Sequence, residues 1–296
     1  MRLATIRQNN VETAAVLVAD KLFPVPLIND QCNQNYPGSV FEIIDSGRLE
    51  EMNSWLRREG TEQLRSLKEQ AIPLVEARFG PLYRRPRKIW GIGLNYADHA
   101  ADLAEKSPET EPASFMKPDT TIIGPGDPVR IPLQSDRTTA EAELGVIIGK
   151  VCRNVDECDA PDYIAGFTTI IDMTAEDILR QNPRYLTRAK SFDTFFSFGP
   201  VLVTPEEIGD LPALNVSTVL NGRVHRRNVI ANMTFPPYFL VSFHSKVMTL
   251  LPGDIISTGT PGAAVINHGD VVECVIDGFE KLVNPVEDCK LMLETK

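Results

Sequence analysis

The sequence lacks any apolar run near the roughly 20 residues that a membrane helix requires, and its opening MRLATIRQNN has no hydrophobic signal-peptide segment. A cytoplasmic protein with no membrane partner is the expectation. Histidine is scarce, with four residues in 296. The five cysteines, Cys32, Cys152, Cys158, Cys274 and Cys289, are odd in number and scattered, without a Cys-x-x-Cys pair or a neighbouring histidine. That spacing speaks against a disulfide framework and against a zinc site, and reads as reduced thiols. Basic residues are in deficit, 30 Lys and Arg against 40 Asp and Glu, for a formal charge of −10. Such a balance disfavours nucleic acid as a partner, and an anionic substrate would need a local positive site. Internal repeats and low-complexity tracts are also missing.

What is present is a 43% hydrophobic chain, long enough for one large core or a large and a small one. Residues 1–45 read as a strand pair, MRLATI and TAAVLVADKLFPV, joined by the polar RQNNVE. Residues 49–70 show helical spacing, with Leu49, Met52, Trp55 and Leu56 on one side, an interruption at Gly60, and then Leu64 and Leu67. The segment PLYRRPRK, residues 81–88, reads as a linker between a small α+β module, 1–80, and a larger domain, 89–296. Beyond it, ELGVIIGKV, YIAGFTTIID, GPVLVT, DIISTGT and DVVECVIDG read as strands bounded by Gly, Pro, Asn or Asp. The expected class is α+β, predominantly β.

Three carboxylates stand out against this background. Glu141 and Glu143 in TTAEAELGVIIGK alternate along an expected strand, so both point to one face, about 7 Å apart. Asp172 closes the apolar run FTTIID, just before an expected helix start. If those strand ends converge, three anions meet, and burying them requires a cation. All-oxygen ligation favours Mg2+, Mn2+ or Ca2+, which the sequence does not separate. In TAEDILRQ, Thr174 and Asp177 have capping-box spacing and Glu176 lies in the same first turn, so the two acids read as structural rather than ligating. Lys190 in AKSFDTF could neutralise charge or hold a substrate oxygen. Asn95 has the spacing of a helix cap with Asp98, which sets His99 and Asp102 one turn apart, the minimal equipment of a general base. His225, His244 and His268 read as structural.

The ordered series GLNYADH, FMKP, EAELGVIIGK, IDMTAED, AKSFDTF, GPVLVT, MTLLPGDIISTGTP and LVNPV resembles the fumarylacetoacetate hydrolase family over residues 84–286. The resemblance implies a mixed, mainly β roll with a small N-terminal module, a homodimer, and a divalent cation held by Glu141, Glu143 and Asp172. It implies His99 as general base partnered by Asp102, where the family's usual partner is Glu, and Lys190 beside metal and substrate. Tyr96, Lys117, Glu176 and Thr260 fall at positions implied to face the substrate. Glu176 and Leu179 stand where many members carry Arg and Gln, a replacement of cation by anion that should change substrate choice. The implied activity is hydrolytic carbon-carbon cleavage of a small 1,3-dicarbonyl acid, an acylpyruvate or 2,4-diketo sugar acid. Decarboxylation or isomerisation of a 2-oxo diacid, or keto-acid binding without turnover, are the alternatives.

Overall fold

The computed structural model describes residues 1–9, 11–97, 108 and 110–293. Two strands occupy its centre, Thr138–Ile148 and Ile164–Ala175, and every residue of both is buried. Strands covered on both faces lose the polar alternation that marks a half-exposed strand. On one face of the pair Ala142, Leu144, Val146, Ile171 and Met173 join the largest hydrophobic core. The other face carries the acids. Antiparallel pairing sets Asp172 opposite Glu141 and Ile170 opposite Glu143.

The central pair lies within a long mixed sheet. From one edge, Ile72–Pro73, Lys21–Pro24, Val11–Val18 and Arg2–Gln8 lead through Val201–Val203 to the two central strands, then to Ile255–Ser257, Ile89–Gly93 and Ala113–Lys117. Pairing along this path is antiparallel except between Ile255–Ser257 and Ile89–Gly93. Ala263–Val265 also pairs with Thr138–Ile148, placing Ala263 beside Glu141. A second, five-stranded sheet runs Arg223–Val229, Asn215–Leu220, Val271–Ile276, Leu282–Asp288 and Val129–Ile131. Its Val216, Val272, Cys274 and Leu282 pack into the same core as Ala142 and Leu144. The class is therefore the expected one, mixed sheets with few helices. Among the described residues no helix is long and apolar enough to cross a membrane.

Several local expectations need correction. TAAVLVADKLFPV forms two strands, because the chain turns at Ala19 with φ of 55°. Residues 49–70 are helical as Leu49–Trp55 and Thr61–Ser66, and the interruption between them is a π-helical turn, Leu56–Gly60. Its apolar stripe is buried as the spacing predicts, at Met52, Trp55, Leu56 and Leu64. Residues 81–88 do not hang free. Leu82 and Tyr83 are buried, and the Tyr83 hydroxyl donates to the Gly253 carbonyl at 3.0 Å. The N-terminal strands extend the main sheet, and Leu3, Val16 and Phe23 share a core with Ile147, Phe196 and Ile255.

Candidate metal centre and substrate cavity

The alternation of Glu141 and Glu143, with Asp172 across from the first, places three carboxylates on one face of the central pair. One oxygen from each lies within 4.8 Å of the others. All three residues are buried, at 8%, 1% and 0% exposure. Anions in such surroundings must be paired, and each is. Lys190 Nζ donates to Glu141 Oε2 at 2.8 Å and to Asp172 Oδ2 at 2.7 Å. Lys117 Nζ donates to Asp172 Oδ1 at 2.5 Å. Thr174 Oγ1 donates to Glu141 Oε1 at 3.0 Å. Glu143 Oε2 accepts from Ser257 Oγ at 2.5 Å and from the Gly259 amide at 2.8 Å.

Counting charges shows what the cluster demands. Among the described residues three carboxylates face two ammonium groups, which leaves one unbalanced negative charge in a buried site. Burial, reinforced by the anions of Asp172 and Glu141, pushes the Glu143 carboxyl up to about 8. Asp172 goes the other way: burial opposes its charge, but Lys117 and Lys190 outweigh it and hold its pKa down. The two lysines also diverge. Burial pushes Lys117 down to about 8 despite Asp172, whereas Lys190, equally buried, faces all three carboxylates and is held above its usual range. A proton on Glu143 or a divalent cation would each answer the excess. The donor set, three carboxylates from rigid strands with no sulfur or imidazole among them, suits a hard cation such as Mg2+ or Mn2+.

Two neighbouring strands and a glycine-containing loop set these positions. Phe115 and Lys117 share a face of Ala113–Lys117. Lys117 supplies the ammonium, and the Phe115 ring lies 4.9 Å from Lys190 Nζ. That ring needs Gly91, because a Cβ there would come within 2.1 Å of it. Gly259 has φ of +92°, and a Cβ on it would meet Asn95 Cβ at 2.8 Å. Only glycine brings its amide against Glu143 in that conformation.

Glu141 and Glu143 open into a cavity of about 460 Å3 whose wall also includes Lys190, Phe115 and Thr260, while fully buried Asp172 is not on that wall. Its outer part is formed by the helix Glu176–Gln181 and the turn after it. Glu176 there is clamped by two arginines, accepting from Arg137 Nε on Oε2 and from Arg180 Nη2 on Oε1 at 2.7 Å. A larger and more open concavity, about 1260 Å3, is lined by Arg7, Arg84, Glu12 and Asp127 among others. There Arg7 is forked onto Asp127 and Arg84 onto Glu12, and no cluster of carboxylates forms. The smaller cavity is the one that holds residues of the carboxylate cluster.

The expected site residues therefore separate into groups. Glu141, Glu143, Asp172 and Lys190 converge. Glu176 and Thr260 line the same cavity, Thr260 with its hydroxyl against the Gly262 carbonyl at 3.2 Å. Lys117 is not on the wall; it stands behind Asp172 with no exposed side-chain area, so it holds a carboxylate rather than a substrate. Tyr96 is also off the wall, fully buried and bridged to Met233, with no partner for its hydroxyl among the described residues. Asp172 does not end its strand, which continues to Ala175. The helix after it starts without a side-chain cap, since the Thr174 hydroxyl is spent on Glu141. Asp177 accepts instead from Ser135 Oγ and the Asp136 amide, both at 2.8 Å. Asn95, expected to cap a helix, spends its side chain on Phe235 and Thr258. His99 and Asp102 lie outside the described residues. His244 is structural, buried between Ser114 and the Leu240 carbonyl.

Sequence reasoning missed Arg137, Arg180, Ser257 and Gly259. Arg180 was legible, four residues after Glu176 on a helix. The other three reach the site through strand register and a loop, which no local pattern encodes.

The model of the fumarylacetoacetate (FAA) hydrolase C-terminal domain matches residues 88–287. A protein of Archaeoglobus fulgidus is 45% identical over 214 residues, 72% of this chain and 83% of the other. Among solved structures, a 5-carboxymethyl-2-hydroxymuconate delta-isomerase from Mycobacterium smegmatis is similar with a TM-score of 0.75 at 30% identity, covering 97% of this chain and 99% of that one. Maleylpyruvate hydrolase from Sphingobium sp. SYK-6, in complex with manganese (II) ion and pyruvate, gives a TM-score of 0.77 at 26% identity with the same coverage.

Proposed function

The chain belongs to the fumarylacetoacetate hydrolase family, and on that premise we propose that it is a divalent-metal-dependent hydrolase cleaving a carbon-carbon bond in a small 1,3-dicarbonyl acid. The observation that carries this reading is the convergence of Glu141, Glu143 and Asp172, with oxygens within 4.8 Å of one another, beside a cavity whose wall holds Glu141, Glu143 and Lys190. Those three residues would hold the cation. When bound, it would supply Lewis-acid stabilisation of negative charge on the oxygens of a 2-oxo acid.

The chain's own residues do the rest. Lys190, fixed by two carboxylates and by the Phe115 ring, orients the ligands and presents a fixed positive charge to an oxygen that becomes anionic during reaction. Lys117 keeps Asp172 ionised from behind. His99, with Asp102 as the partner that the family resemblance implies, would take a proton from water as the water oxygen adds to the distal carbonyl carbon, a contribution of about 10²- to 10⁴-fold in rate. The carbon-carbon bond then breaks, its electron pair leaving with the 2-oxo acid as an enolate, which takes up a proton. Water's oxygen ends in a new carboxylate.

A second reading, isomerisation or decarboxylation at the same site, is favoured by the 30% identical isomerase structure. It needs enolate stabilisation but no attacking water. Turnover of acylpyruvates in oxygen-18 water with Mn2+ separates the two. Hydrolysis puts one labelled oxygen into the new acid, and Glu143→Ala abolishes that product. Substrate consumed without label in a carboxylate would replace hydrolysis by the second reading.

A further inference from the structure

We propose that Arg180 makes the outer part of the cavity a carboxylate subsite, so that the protein prefers 2-oxo acids carrying a second carboxylate to those ending in an uncharged chain. This rests on the reading above that the deep end takes a 2-oxo acid. Arg180 lines the same cavity as Glu141, Glu143 and Lys190, so one ligand can span both ends. Its side chain is 59% exposed and only Nη2 is engaged, on Glu176 at 2.7 Å. A guanidinium carries five N–H donors, and those on Nε and Nη1 have no partner among the described residues.

Charge at the mouth points the same way. Glu176 is the acid that lines this part of the wall, and both of its oxygens are taken, one by Arg137 and one by Arg180. Two guanidinium groups on one carboxylate leave a net positive charge. The adjacent acid, Asp177, is turned away onto Ser135 and Asp136. Arg137 and Glu176 thus act as positioning residues: Glu176 fixes one edge of the Arg180 fork, and Arg137 cancels the charge with which Glu176 would repel an anion. The same wall carries apolar Leu179, Pro183 and Leu186 beside Arg180. A chain of carbon atoms with an anion at each end fits that wall. An Arg–carboxylate fork is strong for its size, and solvent at the mouth weakens it, so a preference of about tenfold is expected.

Calorimetric titration of the Mn2+-loaded protein with 2-oxoadipate and 2-oxohexanoate, matched in length, tests this without requiring turnover. The parent should bind the diacid about tenfold more tightly. In Arg180→Gln, whose melting temperature serves as the folding control, the two acids should bind within about twofold of each other, through weaker diacid binding. Equal binding by the parent, or an intact preference in Arg180→Gln, would overturn the assignment of Arg180 while leaving the proposed function standing. Failure of the parent to bind either acid would overturn both.

Discussion

The two ends of the cavity solve the same problem, a buried acid that needs partners, by different means. At the deep end Glu141, Glu143 and Asp172 sit on strands and are almost entirely buried; Lys190 pairs with Glu141 and Asp172, Lys117 pairs with Asp172, and Glu143 accepts from Ser257 and the Gly259 amide. At the mouth Glu176 sits on the first turn of a short helix and is paired with arginines whose side chains are 44% and 59% exposed. The compact ammonium suits a packed site where one point charge must touch two carboxylates, as Lys190 does. The planar guanidinium suits a wet rim, where one edge can grip Glu176 and the rest stay available. The difference separates a fixed charge array, fit for chemistry, from an adjustable one, fit for recognition.

The contrast predicts unequal costs of mutation. The largest effect on stability should follow Lys117→Met, which removes a fully buried partner of Asp172. Breaking a buried pair from one side costs about 3–5 kcal/mol, read by chemical denaturation of metal-free protein. A loss below about 1 kcal/mol would mean that Lys190 alone satisfies Asp172. The smallest should follow Glu176→Gln. Its partners are half in solvent, so stability should change by no more than about 1 kcal/mol. A loss matching that of Lys117→Met would erase the distinction between the ends.

How much of this was readable without coordinates follows the range of each interaction. Glu141 and Glu143 declared a shared face by their spacing, and Asp172 by closing an apolar run. Their convergence, though, depends on the register that sets Asp172 opposite Glu141, and register is a property of two strands. The same limit hid Arg137 and gave Lys117 the wrong neighbour. Asn95 and Thr174 misled for a different reason. Both have the local spacing of helix caps, but burial offered each a better partner, Phe235 with Thr258 for one and Glu141 for the other. The missed third N-terminal strand turns at Ala19, an alanine in a conformation usually left to glycine or asparagine. The fold class survived these errors because alternating and continuous apolar runs are local and numerous.

Manganese binding to the metal-stripped protein, followed across pH, tests the central claim most directly. Glu143 titrates at about 8 in the folded chain against an ordinary 4.5. Its raised pKa therefore contributes stability to the metal-free fold that is full below about pH 4.5 and is lost as pH climbs to about 8. A cation entering over that window must displace the proton, so affinity should rise with pH, by up to about tenfold per unit, and level off above about 8. Asp172→Asn should weaken binding by about 100-fold or more, since it removes a proposed ligand rather than a supporting group. Binding that is flat across this range and indifferent to Asp172→Asn would contradict the account.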